Sequence, residues 1–180
     1  MKNKKIILGV SAGIAAYKSA EIIRALQKQG ISPTVIMTPR AKRFISPLTL
    51  ETVSGNRVYD KMFGRDSYRP EHISLADGAD LILIAPATAD IIARISGGIC
   101  DDLLTTTVCA ASCPALIAPA MNENMYRNKI TRDNIQRLRR YGYKFIPPRR
   151  GTLACGKTGQ GCLAKTETIV QEVGKALRGL

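Results

Sequence analysis

Between Ile6 and Met37 the chain switches its hydrophobic period twice, and this constrains its fold more than any other feature. Ile6, Ile7 and Leu8 make an apolar β-branched run, and Gly9-Val10-Ser11-Ala12-Gly13 is turn-forming. Ala15, Ser19, Ile22 and Leu26 then recur at spacings of four, three and four. The first pattern suits a buried strand and the last an amphipathic helix. Ala16, Ala20 and Ile23 widen the apolar face, while Lys18, Glu21, Arg24 and Lys28 lie opposite. Gly30 is placed to close the helix in the left-handed conformation, and Pro33 to Met37 reads as the next strand.

The alternation continues along the chain. Leu81 to Ala85 reads as a strand, Ala89 to Ile95 as a short helix, and Ala115 to Ala118 as a strand. Thr131 to Arg140 reads as a helix closed by Gly142, Tyr143 to Ile146 as a short strand, and Thr166 to Leu177 as a terminal helix. Parallel strands need crossovers, which are usually helices, so the pattern predicts one α/β domain over residues 1–180. The expected architecture is a flavodoxin-like or Rossmann-like three-layer α/β/α fold with a parallel sheet. In such sheets ligands bind beyond the carboxyl ends of the strands. The candidate loops are therefore 9–14, 38–44, 86–90 and 119–125.

Composition narrows the ligand classes. Lys and Arg number 27 against 14 Asp and Glu, a net charge of +13, yet the basic residues are spread along the chain. There is no zinc-finger spacing, no RNA-binding aromatic motif and no Trp. A site for anionic, phosphorylated ligands accounts for the sign of the charge, and no nucleic-acid partner is expected. The five cysteines (100, 109, 113, 155, 162) form no CxxC pair, and with a single histidine they make no standard structural zinc site. Reduced thiols in the cytoplasm are the expectation. Lys2, Lys4 and Lys5 before Ile6 to Ala16 imitate a secretory leader, but the same stretch divides into strand, loop and helix. The longest apolar stretch, Val108 to Met121, is too short to span a bilayer, so no membrane partner is expected.

The loops carry the chemistry. The small residues of the first loop let a phosphate approach the backbone at a helix start, although such turns also serve as plain connections. In Ala85-Pro86-Ala87-Thr88-Ala89-Asp90, Thr88 and Asp90 suit either helix capping or ligand contact. Ala118-Pro119-Ala120-Met121-Asn122-Glu123-Asn124-Met125-Tyr126 combines adaptable apolar packing with amide hydrogen bonds, suited to a planar cofactor or a carboxylate. Gly151 to Gly161 places Cys155 among four glycines on a segment able to close over a substrate. The sole histidine, His72, follows Pro70 and Glu71 in an expected loop, where imidazole can transfer protons near neutral pH.

Six segments in order now resemble a known family: Gly9 to Ser19, Thr38 to Phe44, His72 in Glu-His-Ile, Pro86 to Leu104, Pro119 to Tyr126, and Leu-Ala-Cys-Gly at 153–156. The chain is similar to the flavin-dependent cysteine decarboxylases, and among them most to the branch acting on 4′-phosphopantothenoylcysteine in coenzyme A biosynthesis. The resemblance implies FMN as cofactor, homotrimers, often four of them in a dodecamer, with active sites at subunit boundaries, and a phosphopantothenate-cysteine ligase as a possible separate partner. It places Ser11, Ala12, Gly13 and Ile14 at the flavin phosphate and ribityl region, with Thr38, Phe44, Thr88, Ala89, Asp90 and Ala120 completing the cofactor site. It makes His72 the base, Cys155 the acid and Asn122 the holder of the substrate carboxylate, with Met121, Leu153, Ala154 and Gly156 around the substrate. The implied reaction oxidises the substrate cysteine to a thioaldehyde, releases carbon dioxide and returns the electrons, so the product is 4′-phosphopantetheine.

Some positions depart from the family pattern. Tyr126 stands where Trp is usual, Asp90 and Asp102 where Asn is usual, and Cys162 where Arg is frequent. A carboxylate near a phosphate adds repulsion unless a cation compensates. The alternatives are a flavin-dependent peptidyl-cysteine decarboxylase, against which the Leu-Ala-Cys-Gly segment argues, and a non-catalytic flavin-binding regulator, whose long acidic extensions are absent.

Overall fold

The computed structural model describes residues 4–63 and 70–179. Six strands form one sheet: β1 (Ile6–Val10), β2 (Thr34–Met37), β3 (Val58–Tyr59), β4 (Leu81–Ala87), β5 (Ala115–Pro119) and β6 (Lys144–Phe145). All pairings are parallel and the order is β3-β2-β1-β4-β5-β6. Counting the two-residue edge strand β3 gives the Rossmann order, and omitting it leaves the flavodoxin order. Both halves of the sequence reading are therefore present. A separate antiparallel ribbon is made by β7 (Arg149–Thr152) and β8 (Thr158–Cys162).

Two apolar layers hold the sheet, because successive strand residues point to opposite faces. Ile6, Leu8 and Val10 of β1, with Leu81, Leu83 and Ala85 of β4, face a cluster that includes Ile22, Ile23 and Leu26 of α1 (Ser19–Gln27), Leu50 of α2 (Pro47–Ser54) and Ile169 and Val173 of α8 (Thr166–Arg178). Ile7, Ile82 and Ile84 face the other cluster. There they meet Leu75 of α3 (Glu71–Asp77), Ile91 and Ile92 of α4 (Ala89–Gly97), Leu104 and Val108 of α5 (Leu103–Ala110), and Ile135 and Leu138 of α7 (Lys129–Arg140). The last helix, α6 (Glu123–Arg127), lies in the loop region after β5. Among the described residues, no helix is long and apolar enough to cross a membrane.

Three sequence expectations are corrected. The helix read from Ala15 opens as a 3-10 turn, Ile14–Lys18, and becomes α-helical only at Ser19, because Ala16 N–H bonds Gly13 O at 2.9 Å and tightens the turn. His72 stands in the first turn of α3, not in a loop; Pro70 and Glu71 supply a proline before the first turn and an acid within it. Gly151 to Gly161 is largely the β7–β8 hairpin. The expected role of Gly30 holds, since its φ of +75° follows the end of α1.

Candidate active-site cavity

The crossover from β1 runs to β2 on one side and that from β4 runs to β5 on the other, so a crevice opens between the carboxyl ends of the neighbouring strands β1 and β4. A cavity of about 730 Å³ occupies this edge of the sheet. The loop Ala12-Gly13-Ile14, the start of α4 at Thr88 and Asp90, and Ala120, Met121 and Asn122 after β5 form part of its lining. The hairpin adds Thr152, Leu153, Ala154, Cys155, Gly161 and Cys162.

Ser11 ties the first and third loops together. Its buried hydroxyl donates to Pro86 O at 2.7 Å and accepts from Thr88 N–H at 3.0 Å. Thr88 Oγ1 in turn accepts from Ile91 N–H at 3.4 Å and caps α4, so this residue both caps and lines the cavity. At Gly13 an added Cβ would lie 3.3 Å from Thr88 Cγ2, so the two loops approach closely.

Asn122 and Cys155, separated by 33 positions in sequence, meet at the rim: Asn122 Nδ2 lies 3.9 Å from Cys155 Sγ. Asn122 Oδ1 accepts from Asn124 N–H at 2.8 Å and caps α6, which fixes the amide and presents its Nδ2 donors. Cys155 is held in a tight turn by Leu153 N–H to Lys157 O and Gly156 N–H to Leu153 O, both 2.9 Å. The hairpin docks on the loop after β5 through Met121 N–H to Gly161 O at 3.0 Å. A Cβ at Gly161 would overlap Met121 O, so the close approach requires glycine here.

The cavity is electropositive. Lys18, Arg40 and Arg149 line it, and among the described residues Asp90 is the one lining carboxylate. Arg94 Nε meets both Asp90 oxygens at 3.1 Å, and its NH1 contacts Asp101. The hydrogen bond to Asp101, and then that to Asp90, raises the pKa of the Arg94 guanidinium. Asp90 thus has the compensating cation its departure from Asn requires. Asp102 is buried at the start of α5, where Oδ1 accepts from Thr105 N–H at 2.8 Å in a capping box.

Not every expected site residue lines the cavity. Ser11 acts as the brace just described, Ala89 opens α4, and Gly156 shapes the hairpin turn with φ +79°. Phe44 is 46% exposed at the end of the 3-10 turn Pro39–Arg43. Thr38 is buried beside Val10, whose carbonyl accepts its N–H at 3.0 Å, yet Thr38 Oγ1 has no hydrogen-bond partner among the described residues. His72, half-buried on α3, is not among the lining residues. The sequence reading placed Arg40 and Met125 in candidate loops without singling them out, missed Tyr17 and Arg149 as lining residues, and assigned Lys18 to the solvated helix face. Helical periodicity separates faces but says nothing about which end of the sheet a face overlooks.

The arrangement fits a flavin nucleotide. It offers apolar surface for a ring and three cations for a phosphorylated arm, and beyond its lining the buried Thr38 hydroxyl at the end of β2 has no partner among the described residues. Fold and cavity together define an α/β protein with an open, cationic and partly apolar cavity at the carboxyl edge of its sheet, where proteins of this architecture take their ligands. The Flavoprotein family matches residues 1–178, and the chain belongs to it.

Two curated relatives illustrate the likeness. The coenzyme A biosynthesis bifunctional protein CoaBC of Vibrio cholerae is 48% identical over 171 residues, covering 94% of this chain and 43% of that protein. A probable phosphopantothenoylcysteine decarboxylase of Streptococcus mutans is 45% identical over 177 residues, covering 97% of this chain and 99% of that protein. The chain thus spans less than half the length of the bifunctional relatives. Among solved structures, a PPC decarboxylase mutant complexed with pantothenoylaminoethenethiol superposes with a TM-score of 0.88 at 28% identity, covering 97% of this chain and 98% of that one. The FMN-dependent cysteine decarboxylase SpaF gives 0.87 at 28% identity, covering 98% and 96%.

Proposed function

We propose that this chain is an FMN-dependent enzyme that decarboxylates 4′-phosphopantothenoylcysteine to 4′-phosphopantetheine in cytoplasmic coenzyme A biosynthesis. The observation that carries the reading is the meeting of Asn122 and Cys155 over a cationic cavity at the sheet edge. It is supported by the Streptococcus relative, matched over nearly its whole length. When bound, FMN supplies the two-electron oxidation of the substrate cysteine, and its later reversal, that make loss of the carboxylate feasible. Ala12, Gly13, Ile14, Thr88 and Ala120 would hold its ring and ribityl region, and Lys18, Arg40 and Thr38 would serve its phosphorylated arm.

The Asn122 amide holds the substrate carboxylate through Nδ2. A neutral donor suits a group that must depart, because a guanidinium would stabilise the ground-state charge more strongly. Cys155, above the same position, delivers the proton that completes the product. Leu153 and Met125 exclude water from the reacting carbon. His72 takes the substrate proton at the start. Since it stands on α3 and is not among the residues lining its own chain's cavity, it acts in a neighbouring copy, in a homotrimer or a dodecamer of four trimers. A phosphopantothenate-cysteine ligase is the implied supplier of substrate.

The test is turnover. Protein loaded with FMN and given 4′-phosphopantothenoylcysteine should release carbon dioxide and form 4′-phosphopantetheine, followed by mass spectrometry. Full FMN occupancy without product, or turnover of peptides ending in cysteine in preference, would overturn the assignment.

A further inference from the structure

A second cavity, of about 340 Å³, lies across α6 and β8 from the first. Met125 and Gly161 line the first cavity, whereas their chain neighbours Tyr126 and Gln160 line the second, so the same two elements form a wall between them. We propose that this second cavity is a binding site for a phosphomonoester.

Three guanidinium groups converge on it from two helices. Arg132, Gln136 and Arg139 lie at i, i+4 and i+7 of α7 and form one stripe, with Ile135 as apolar floor. Arg127 enters from α6, and Gln160 from β8. Among the described residues, no carboxylate lines this cavity. The acid that reaches it indirectly is Glu123, paired with Arg127 at 2.9 Å. Arg139 Cζ lies 5.5 Å from the Phe145 ring centroid, a cation–π contact that consumes none of its N–H donors as hydrogen bonds to a carboxylate would. Arg132 has no ion pair among the described residues. Like charges gathered around one hollow repel each other, and an anion relieves that repulsion. Three planar forks offer more donors than the two oxygens of a carboxylate accept, whereas a phosphomonoester presents three terminal oxygens and up to two charges.

The phosphate has two possible sources: the end of a pantetheine-type arm whose other end lies in the first cavity, or a separate phosphorylated molecule. FMN-loaded protein, its own phosphate site filled, is titrated calorimetrically with inorganic phosphate, 4′-phosphopantetheine and pantetheine. Binding of phosphate and 4′-phosphopantetheine should weaken at least about tenfold in Arg132→Gln/Arg139→Gln, with Arg132→Lys intermediate and pantetheine unaffected. Unchanged far-ultraviolet circular dichroism and FMN affinity verify the fold of each variant.

A matching rise in KM for the phosphorylated substrate, but not for its dephosphorylated form, assigns the site to the substrate arm. Phosphate binding that persists under saturating 4′-phosphopantetheine, with KM unchanged in the variant, assigns it to a separate ligand. No phosphate binding by wild type, or equal binding by wild type and the double variant, overturns the site. Arginine-dependent phosphate binding by a holoprotein that decarboxylates nothing would retain the site and discard the enzyme reading.

Discussion

Replacing Thr38 by Val should move apo stability and cofactor affinity in opposite directions. The Thr38 hydroxyl is buried, and Oγ1 has no partner among the described residues. Burying a hydroxyl without a hydrogen bond costs about 1–2 kcal/mol. Valine has the same shape, and the extended backbone, φ −65° and ψ +150°, accepts a β-branched residue. Both backbone hydrogen bonds survive the change: Thr38 N–H to Val10 O at 3.0 Å and Ala41 N–H to Thr38 O at 2.9 Å. The apo variant should therefore gain about 1–2 kcal/mol, read as a rise of about 2–8 °C in the thermal midpoint. If the hydroxyl serves the FMN phosphate, losing one hydrogen bond to a charged group removes about 1.5–3 kcal/mol, so FMN should bind roughly 10- to 150-fold more weakly. Differential scanning fluorimetry of apoprotein and quenching of flavin fluorescence on titration read the two quantities. A destabilised apo variant, or one that binds FMN as tightly as wild type, would refute the reasoning.

Three further outcomes follow. Cys155→Ser should bind FMN and release carbon dioxide but yield a product two hydrogens short of 4′-phosphopantetheine, resolved by mass spectrometry; ordinary product would remove Cys155 from the proton-delivery role. His72→Asn should retain FMN and lose activity by about 10² to 10⁴-fold. Co-folding it with Cys155→Ser should restore about one quarter of the sites if His72 serves a neighbouring copy, because a random mixture recombines intact halves at that frequency. No recovery would place both residues in a single-chain site. Asp80 accepts Lys5 N–H at 2.7 Å and meets Lys4 Nζ at 2.9 Å, and these contacts, the backbone bond foremost, lower its pKa. Its contribution to stability is present above the unfolded carboxylate value of about 4 and is lost as pH falls through the lower folded value. Asp80→Asn should therefore lower the urea midpoint at neutral pH and match wild type in strong acid, and a gap independent of pH would contradict this.

Strands β1, β2, β4 and β5 were legible because each is a short apolar run bounded by turn residues, and two core layers bury both faces of the sheet. Helix α5 was not read, since Leu103, Leu104, Thr105, Thr107 and Val108 are all buried and no polar face marks a period. Its signal was the cap, Asp102 three residues before Thr105. Helix α2 likewise carried its start at Ser46-Pro47 and its left-handed end at Gly55, without a strong apolar stripe between. The β7–β8 hairpin reads as a loop because its glycines have low strand propensity, and pairing between Arg149–Thr152 and Thr158–Cys162 overrides that preference.

Within the cavity, the small-residue loop and the Asn122 and Cys155 segments were found from local chemistry. Arg149 was not, and Arg40 was included only as part of its loop, because the destination of a long cationic side chain depends on which loops the sheet order brings together.

The ribbon that carries Cys155 pairs its strands with each other and not with the main sheet. Deleting or exchanging it would leave every parallel pairing and both apolar layers in place. A gene of this kind could therefore inherit the opening chemistry unchanged while acquiring a different finishing step, so the two ends of the reaction are free to diverge at separate rates.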